Sequence, residues 1–455
     1  MEKARIGKHS TVVLFPCPYQ GHITPMLQLG SALHSKGFSI TVVHTQFNSP
    51  NPSSHPEFNF QSLPDGLSQE VISSGSLLDI ISELNVTCKA PFQECLEQMV
   101  KARNVPNDDD KVIWVIYDEL MHFAEAAANH LGLPTILLRT ISAATFVSRS
   151  AILQLEAQGL IPFQESISEE AVPNLPSLRF KDLPISMHGV SEKFLNLMKE
   201  ACHSRKPSAV VWNTIECLEQ SLLAQLQKQS KVPIFPIGPI HKFAPAASCS
   251  SLLPEDTCCI SWLNKQPDKS VVYASFGSVA SIDAKEFTEM AWGLANSRHR
   301  FLWVVRPGFI LGSEWTEPLP KGVKEIVGER CCIVKWAPQR EVLGHAAVGV
   351  FLTHCGWNSA LESISEGVPM ICRPYFGDQK VTARYIAHVW GLGLQLENKL
   401  DREEVARAVR RIMEDEQGEQ IRARAEDMKG KIELCVKKGG LSYNSMDNLV
   451  QFMSF

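Results

Sequence analysis

The chain alternates short apolar runs with amphipathic helical stretches, and this alternation restricts the fold more than any other feature. In the first half the apolar runs are STVVLF, FSITVVHT, KVIWVIYD, PTILLRT, SAVVWNT and KVPIFPIGP. In the second half they are VVYASFG, RFLWVV, CCIVKW, VGVFLT and PMICRP. Strands that are buried on both faces of a parallel sheet have this continuous apolar character. The pattern therefore predicts an α/β protein with doubly wound parallel sheets.

The alternation is interrupted after Pro239 by the stretch IHKFAPAASCSSLLPED, which lacks periodicity. A chain of 455 residues is also too long for one ordinary core. We therefore predict two Rossmann-like domains, at residues 1–240 and 258–437, with a linker at 241–257 and a C-terminal segment at 438–455. Ligands bind beyond the carboxyl ends of the strands in such sheets, so the two domains are expected to face each other across a cleft.

Charge and composition narrow the class of protein. A net charge of −5 and a pI of about 6.3 argue against an extended nucleic-acid footprint. No segment approaches the ~20 apolar residues of a membrane span, and the first apolar run, cut by Pro16, favours a strand over a signal peptide. Thirteen cysteines without a C-x-x-C motif favour free, mostly buried thiols in a reducing compartment. We expect a cytoplasmic monomer whose partners are small molecules, with no nucleic-acid partner.

Polar groups cluster where the strand VGVFLT ends at Thr353. A helix is predicted to begin at about Asn358, and its N-terminal N–H groups and dipole favour an anion. Asn358 and Ser359 add side-chain donors, His354 can donate a hydrogen bond or carry a positive charge, and Gly356 allows a ligand close to the backbone. Any one of these residues alone would fit a capped helix beside a buried histidine. Together, within six positions, they favour a diphosphate site.

Two other strand ends carry polar or flat side chains. Asp378 and Gln379 follow PMICRP at the start of a helix. A carboxylate and an amide suit sugar hydroxyls, because the first accepts hydrogen bonds and the second both donates and accepts them; an acidic helix N-cap is the alternative for Asp378. Trp336 precedes a rigid loop with Gln339 close by, which suits a stacked base, whereas a tryptophan in isolation is more often part of the core.

The first half contains a candidate proton acceptor. Gln20-Gly21-His22 follows the first strand and opens its helix. A helix N-terminus disfavours the imidazolium form, so we expect His22 to be neutral and able to accept a proton. Asp118 ends the strand VIWVIY, and a contact between its carboxylate and His22 would hold the tautomer and stabilise the imidazolium.

The 44-residue run WAPQREVLGHAAVGVFLTHCGWNSALESISEGVPMICRPYFGDQ, residues 336–379, resembles the signature box of the plant family 1 UDP-dependent glycosyltransferases. The stretches FPCPYQGHITPM, CCISWLNKQPDKSVVYASFGS and GGLSYNS are similar to that family as well. TVVHTQFNSPNPSSHPEF and LPDGLS resemble its seventy-sixth subgroup. The resemblance implies a GT-B fold whose final helix returns to the first domain. It also implies an inverting glycosyl transfer that uses UDP-glucose as co-substrate and needs no metal or other cofactor.

The resemblance also implies a role for each site residue. His22 would be the general base and Asp118 its partner. The residues expected to bind uracil and ribose are Trp336, Ala337, Gln339 and Glu362. Those expected to bind the diphosphate are Ser278, His354, Asn358 and Ser359, and those expected to bind the sugar are Thr140, Trp357, Asp378 and Gln379. Gly21 and Gly356 complete the predicted binding set, and a glutamine at position 379 suggests glucose.

The acceptor is predicted only as a class. Its pocket is expected to form from loops of the first domain, at residues 10–22, 77–91, 121–123, 141–146 and 183–197. These segments carry leucine, isoleucine, phenylalanine and methionine, so we expect a small apolar plant metabolite with a nucleophilic hydroxyl, amine or carboxyl group. Terpenoid, phenolic and hormone-like acceptors all remain open.

Other functions fit the pattern less well. A nicotinamide oxidoreductase would need a G-x-G-x-x-G motif after a strand, and none is present. A non-catalytic nucleotide-sugar-binding protein would keep residues 336–379 but would not need His22 and Asp118. A sugar-nucleotide epimerase would need acid and base groups around the sugar itself. Use of a UDP-sugar other than UDP-glucose remains an alternative.

Overall fold

The computed structural model describes residues 10–103, 112–185, 190–202, 206–244, 251–312 and 319–454. The chain divides into two compact units. The first comprises Met1–Pro162, His188–Leu252 and Leu434–Phe455, and the second comprises Phe163–Met187 and Leu253–Glu433. Among the described helices, none is long and apolar enough to cross a membrane. Residues 245–250 of the predicted linker lie outside the described residues.

Fifteen strands occur in the described residues. In chain order, β1 to β15 span Thr11–Phe15, Ser39–Thr45, Asn59–Leu63, Ile113–Asp118, Thr135–Arg139, Ala171–Val172, Leu175–Arg179, Ala209–Trp212, Ile234–Pro236, Val271–Ser275, Arg300–Val304, Cys331–Val334, Val348–Thr353, Met370–Cys372 and Gly393–Gln395. Every apolar run quoted above contains one of these strands. The sequence analysis missed β3 and β15, which lie at sheet edges, and the pair β6–β7. Edge strands are only partly buried, so they need no continuous apolar run.

Seventeen α-helices connect or cover the strands in the same part of the chain. In order, α1 to α17 span Gln20–Ser35, Gln69–Ser74, Leu77–Thr87, Lys89–Arg103, Phe123–His130, Ala143–Ala157, Glu192–Cys202, Glu216–Gln229, Cys258–Leu263, Ala284–Asn296, Val323–Val327, Gln339–Leu343, Trp357–Ser365, Gln379–Arg384, Arg402–Met413, Glu416–Val436 and Leu441–Met453. The helix predicted to begin at about Asn358 is α13, which begins one residue earlier.

The first unit contains a seven-stranded parallel sheet in the order β3-β2-β1-β4-β5-β8-β9. Alternate residues of β1 enter different cores: Val13 and Phe15 join one apolar cluster, and Val12 and Leu14 join the other. Successive side chains of a strand point to opposite faces, so this alternation means that both faces are covered. The doubly wound arrangement follows from it.

The C-terminal helix α17 packs within the first unit. The indole N–H of Trp114 in β4 donates to the Met453 carbonyl at 3.0 Å, and the Ser442 hydroxyl donates to the Gly238 carbonyl at 2.6 Å. Met446, Leu449 and Met453 are buried in the same cluster as β1. The apolar face of α17 therefore forms part of the first unit's core.

The second unit contains a six-stranded parallel sheet in the order β12-β11-β10-β13-β14-β15. It also contains the antiparallel pair β6–β7, although the sequence analysis placed residues 163–187 in the first domain. The sequence around this pair has no long apolar run, so nothing in its pattern indicated which core it joins.

Residues 77–91 were predicted to form a loop, and this prediction was wrong. They form α3 and the first turn of α4. Ile80, Ile81, Leu84 and Cys88 are buried against the first sheet. Their spacing of three, four and seven residues is that of a helix with one apolar face, so the correct signal was present in the sequence.

Candidate active site

The strand order of the first sheet reverses between β1 and β4, and the predicted base lies there. From β1 the chain moves outward to β2 and β3 on one side, and from β4 to β5 on the other. Loops leaving such a switch point diverge and open a crevice. Gly21 and His22 lie in the first turn of α1, directly after β1, and Asp118 is the last residue of β4. Because Phe15 is paired with Tyr117, both side chains lie at the same edge.

The predicted contact between His22 and Asp118 is present. Nδ1 of His22 lies 2.8 Å from Oδ2 of Asp118, whose carboxylate is fully buried. The other carboxylate oxygen, Oδ1, accepts the Leu120 main-chain N–H at 2.9 Å. An ionised carboxylate can only accept, so Nδ1 carries the proton and Nε2 carries the lone pair. The His22 side chain is 20% exposed, so a small molecule can approach the ring.

Thr140 also lies beside the imidazole. It follows β5, is buried, and its hydroxyl oxygen is 3.1 Å from His22 Nδ1. The resemblance implied a contact between Thr140 and the sugar, and it did not indicate this contact with His22. Two side chains therefore hold the same ring nitrogen, which restricts rotation of the imidazole.

Cys17 is a further neighbour that the sequence analysis missed. The donor atoms of Cys17, His22 and Asp118 lie within 4.8 Å of one another, and this is the one group in the described residues whose spacing could suit a metal ion. Burial, together with the charges of Asp118 and Glu119, raises the pKa of the Cys17 thiol well above its ordinary value. A protonated thiol is a poor metal ligand and a poor nucleophile. The thiol therefore holds its proton near neutral pH and is not an activated nucleophile.

A buried ion network lies next to this pair. Glu119 follows Asp118, and its carboxylate is 2.7 Å from Arg149 and 3.8 Å from Arg139. Burial opposes ionisation of Glu119, but the two arginines outweigh it and lower the pKa of the carboxyl group. The second negative charge is thereby neutralised within the fold.

The second sheet repeats the same design at β10 and β13, where its strand order also reverses. Ser275 at the end of β10 is paired with Thr353 at the end of β13, so the loops that follow begin side by side. One loop carries Ser278. The other leads into α13, whose first turn contains Asn358 and Ser359 and whose N-cap is Gly356 rather than an asparagine. The N-terminus of this helix has no capping side chain in the described residues, and it suits an anion.

His354 is held between two glycines. A Cβ added to Gly277 or to Gly356 would lie 2.5 Å from its Nε2. Burial lowers the pKa of His354 to about 4, so the imidazole is neutral at pH 7. The sequence analysis allowed either a hydrogen bond or a positive charge here, and the lowered pKa favours the hydrogen bond. The close packing of the ring, and not only access for a ligand, explains Gly356.

Replacing Gly356 with alanine should displace the His354 ring. We expect Gly356→Ala to lower the free energy of unfolding by roughly 1–3 kcal/mol, as overpacking of a close contact does. Chemical denaturation of the purified protein measures this. Gly430→Ala is the matched control: Gly430 lies within α16 with no atom within 4 Å of the added Cβ. It should be stabilising by about 0.5–1 kcal/mol. Equal stability of Gly356→Ala and wild type would contradict the packing argument.

A hydrogen-bonded network joins three of the predicted nucleotide-binding residues. The Gln339 amide donates to Glu362 at 2.7 Å and to Ser359 at 2.9 Å. Its oxygen accepts from the Tyr273 hydroxyl at 3.2 Å. Burial raises the pKa of Glu362, although the bond from Gln339 opposes this. Tyr273 was missed because it lies inside an apolar strand. A nucleoside binding here would exchange existing hydrogen bonds.

The aromatic and apolar members of the predicted site lie at two of these strand ends. Trp336 and Ala337 follow β12, where Ala337 is buried and Trp336 is partly buried. Trp357 opens α13, but the residue is only 3% exposed, and its ring centroid lies 6.3 Å from that of Trp390. Trp357 therefore offers little surface to a sugar.

The predicted sugar-binding pair begins α14. Gln379 is buried, and its side-chain oxygen accepts the main-chain N–H groups of Tyr375 at 2.9 Å and Phe376 at 3.2 Å. The acceptor role predicted for this amide is therefore already occupied, and its N–H groups remain the donors. Asp378 occupies the N-cap position but makes no capping hydrogen bond to the described helix. Its carboxylate does not serve as the cap that the alternative required.

Comparison with known proteins identifies the family. A family model described as UDP-glucoronosyl and UDP-glucosyl transferase matches residues 11–422. The chain belongs to this family of UDP-glycosyltransferases. It is 48% identical over 448 residues to UDP-glycosyltransferase 76E1 of Arabidopsis thaliana, covering 98% of this chain and 97% of the relative. A second Arabidopsis thaliana relative, named Flavonol 3-O-glucosyltransferase UGT76E12, is 47% identical over 449 residues, covering 97% and 96%.

Solved structures of plant glycosyltransferases agree with this family assignment. The crystal structure of Medicago truncatula UGT71G1 complexed with UDP-glucose matches with a TM-score of 0.82 and 25% identity, covering all of both chains. The resemblance to the plant UDP-glycosyltransferases and to their seventy-sixth subgroup is confirmed, as is the GT-B fold. The oxidoreductase alternative is excluded.

Proposed function

We propose that this UDP-glycosyltransferase transfers glucose from UDP-glucose to a small apolar acceptor, with inversion at the anomeric carbon and without a metal ion. The acceptor group is a hydroxyl, amine or carboxyl group, and His22 is the general base. The observation that carries the proposal is the 2.8 Å contact between His22 Nδ1 and the buried Asp118 carboxylate. It orients the ring and favours the protonation state in which Nε2 can accept a proton.

The base acts on the acceptor. As the acceptor oxygen or nitrogen attacks the anomeric carbon, Nε2 of His22 removes its proton. The ring then becomes an imidazolium, and the Asp118 carboxylate stabilises the new charge at short range. A single displacement of this kind inverts the anomeric carbon. The raised pKa of Cys17 supports this proposal, because a protonated thiol offers no competing nucleophile for a double displacement.

The second unit supplies the groups that bind the leaving nucleotide. As the glycosidic bond breaks, negative charge develops on the diphosphate. The N-terminus of α13, the side chains of Asn358 and Ser359, and a neutral His354 can donate hydrogen bonds to it. Donors of this kind are held in place before the reaction, so they need no rearrangement as charge develops. In this proposal these donors stabilise the negative charge on the leaving diphosphate, which other enzymes stabilise with a divalent cation.

The donor sugar depends on Gln379. In Gln379→His, the imidazole cannot accept both the Tyr375 and Phe376 N–H groups. The side chain at position 379 would then be displaced and would lose one or two hydrogen bonds to the sugar, so we expect the KM for UDP-glucose to rise roughly 5- to 30-fold. Steady-state kinetics with UDP-glucose and UDP-galactose measure it. Gln379→Glu is the matched variant, because it keeps an acceptor oxygen for the Tyr375 and Phe376 N–H groups and replaces the N–H donors with a second carboxylate oxygen. Wild-type donor kinetics in both variants would disprove the sugar-binding role.

The acceptor class is tested by a mass-spectrometric screen of UDP-glucose against terpenoid, phenolic and hormone-like aglycones. One close relative bears a name that specifies a flavonol hydroxyl, so phenolic acceptors head the panel. We expect a product 162 mass units heavier than its acceptor, as follows from adding a hexose and losing water, with undiminished rate after treatment with EDTA. Absence of any glucoside across the panel would favour the non-catalytic alternative, and loss of activity in EDTA would contradict metal independence.

A further inference from the structure

Residues 171–185, here called the hairpin segment, contain the pair β6–β7 and the short turn that follows. Along the chain the segment lies between α6 and α7 of the first unit, yet it packs within the second unit. Its strand pair joins neither of the two large sheets. The attachment of the segment therefore rests on side-chain contacts.

Two of these contacts reach α14, the helix that begins with the proposed sugar-binding residues. Lys380 Nζ donates to the Ile185 carbonyl at 3.3 Å, and Arg384 Nε donates to the Ser177 carbonyl at 3.1 Å. Arg384 also lies 3.5 Å from the buried carboxylate of Asp182. Lys380 and Arg384 are four residues apart and so lie on one face of the helix. That face is bound to the hairpin segment.

A second set of contacts holds the hairpin segment to the loop after β15. Glu397 receives hydrogen bonds from Arg179 at 3.0 Å and from Lys181 at 2.6 Å. The Arg179 side chain in turn donates two hydrogen bonds to Asp182, at 2.8 and 2.9 Å, and its main-chain N–H donates a third at 2.9 Å. Glu169 and His388 also face this cluster. Burial opposes ionisation of Glu397, but Arg179 and Lys181 hold its pKa at about 2. The carboxylate of Glu397 is therefore ionised near neutral pH.

The geometry points to a role for these contacts in donor binding. Asp378 is the N-cap of α14 and Gln379 its first residue, while Lys380 and Arg384 on the same short helix are bound to the hairpin segment. We propose that the hairpin segment is a positioning element for the donor sugar, and that Lys380 and Arg384 are positioning residues that set the location of Asp378 and Gln379. This inference rests on the proposed sugar-binding role of that pair.

The test separates the sugar from the nucleotide. Isothermal titration calorimetry without acceptor gives the Kd of UDP and of UDP-glucose for wild type, Lys380→Met and Arg384→Ala. We expect the affinity for UDP-glucose to fall roughly 5- to 30-fold in both variants, because displaced Asp378 and Gln379 side chains would lose one or two hydrogen bonds to the sugar. The affinity for UDP should stay within about twofold, because the nucleotide contacts lie on other elements. Arg384→Ala removes most of a side chain and can reduce folding. Lys380→Met keeps nearly the same side-chain length, so it tests the loss of a hydrogen bond without that complication.

The matched control is Arg402→Ala. Arg402 is bonded to Glu289 at 3.0 Å in the same unit but does not contact the hairpin segment in the described residues. It should leave both affinities unchanged. Equal weakening of UDP and UDP-glucose in the Lys380 and Arg384 variants would indicate a merely structural role and overturn the inference, as would unchanged affinities.

Gln379→Glu distinguishes failure of this inference from failure of the proposed function. If it weakens UDP-glucose but not UDP while the Lys380 and Arg384 variants behave as wild type, only the positioning role is wrong. If Gln379→Glu leaves UDP-glucose affinity unchanged, the sugar-binding assignment itself is wrong, and the inference falls with it.

Discussion

His22→Ala is expected to lower kcat by roughly 10²–10⁴-fold, the range observed when a general base is lost. The acceptor must lose a proton as it attacks, and water replaces the imidazole poorly because it is neither oriented nor backed by Asp118. The Kd for UDP-glucose should stay within about twofold, because the proposed nucleotide-binding residues belong to other elements. Single-turnover glucosylation and calorimetry measure the two quantities.

Thr140→Val is the control for this result. It preserves side-chain shape and keeps the imidazole, but removes the hydroxyl 3.1 Å from Nδ1. We expect a loss of less than roughly 10-fold, the weight of one hydrogen bond. A His22→Ala enzyme with wild-type turnover would remove the assigned base, whichever acceptor is used. A matching loss of UDP-glucose affinity would instead assign His22 to donor binding.

Asp118→Asn should be at least as damaging, with an expected loss in kcat of roughly 10³–10⁴-fold by analogy with other oriented imidazole bases. The reason lies in the Leu120 N–H, which donates to Oδ1 at 2.9 Å. That contact would orient the asparagine with its oxygen towards Leu120 and its NH₂ group towards His22. The ring would then accept at Nδ1 and carry its proton on Nε2, the nitrogen that must receive the acceptor's proton.

Asp118→Ala provides the comparison. It removes the carboxylate without imposing the wrong tautomer, so it should retain more activity than Asp118→Asn provided that it folds. Nitrogen NMR of labelled histidine reports which ring nitrogen is protonated in each variant. An Asp118→Asn enzyme that keeps the proton on Nδ1, or turns over like wild type, would contradict the tautomer argument.

Several site assignments could be made from the sequence because the signals are local. His22, Asp118, Ser278 and Asn358 each follow a recognisable apolar strand, and parallel strands end at a common edge. The contact of His22 with Asp118 was predicted, but the partners of Thr140, Gln339 and Gln379 within the fold were not. His22 and Asp118 are 96 residues apart, and Gln339 and Glu362 belong to different helices.

Other details depend on packing between distant segments. The charge of His354 follows from its burial against Gly277, which is far from it in the chain. The hydrogen bonding of Gln379 also depends on packing, because its side-chain oxygen accepts a main-chain N–H of the preceding turn once that turn has folded. Burial and hydrogen-bond partners decide protonation and donor direction, and neither can be read from residue type.

The sequence by itself determined the α/β architecture, most of the strands, the candidate site residues at the strand ends of both halves, and the family. Periodicity and short motifs are carried by neighbouring residues, so they survive without the fold. Only the tertiary structure decided that the hairpin segment joins the second unit, that residues 77–91 are mostly helical with one buried face, and that burial lowers the pKa of His354. Those outcomes depend on which surfaces meet, and contacts between residues far apart in the chain are formed only when it folds.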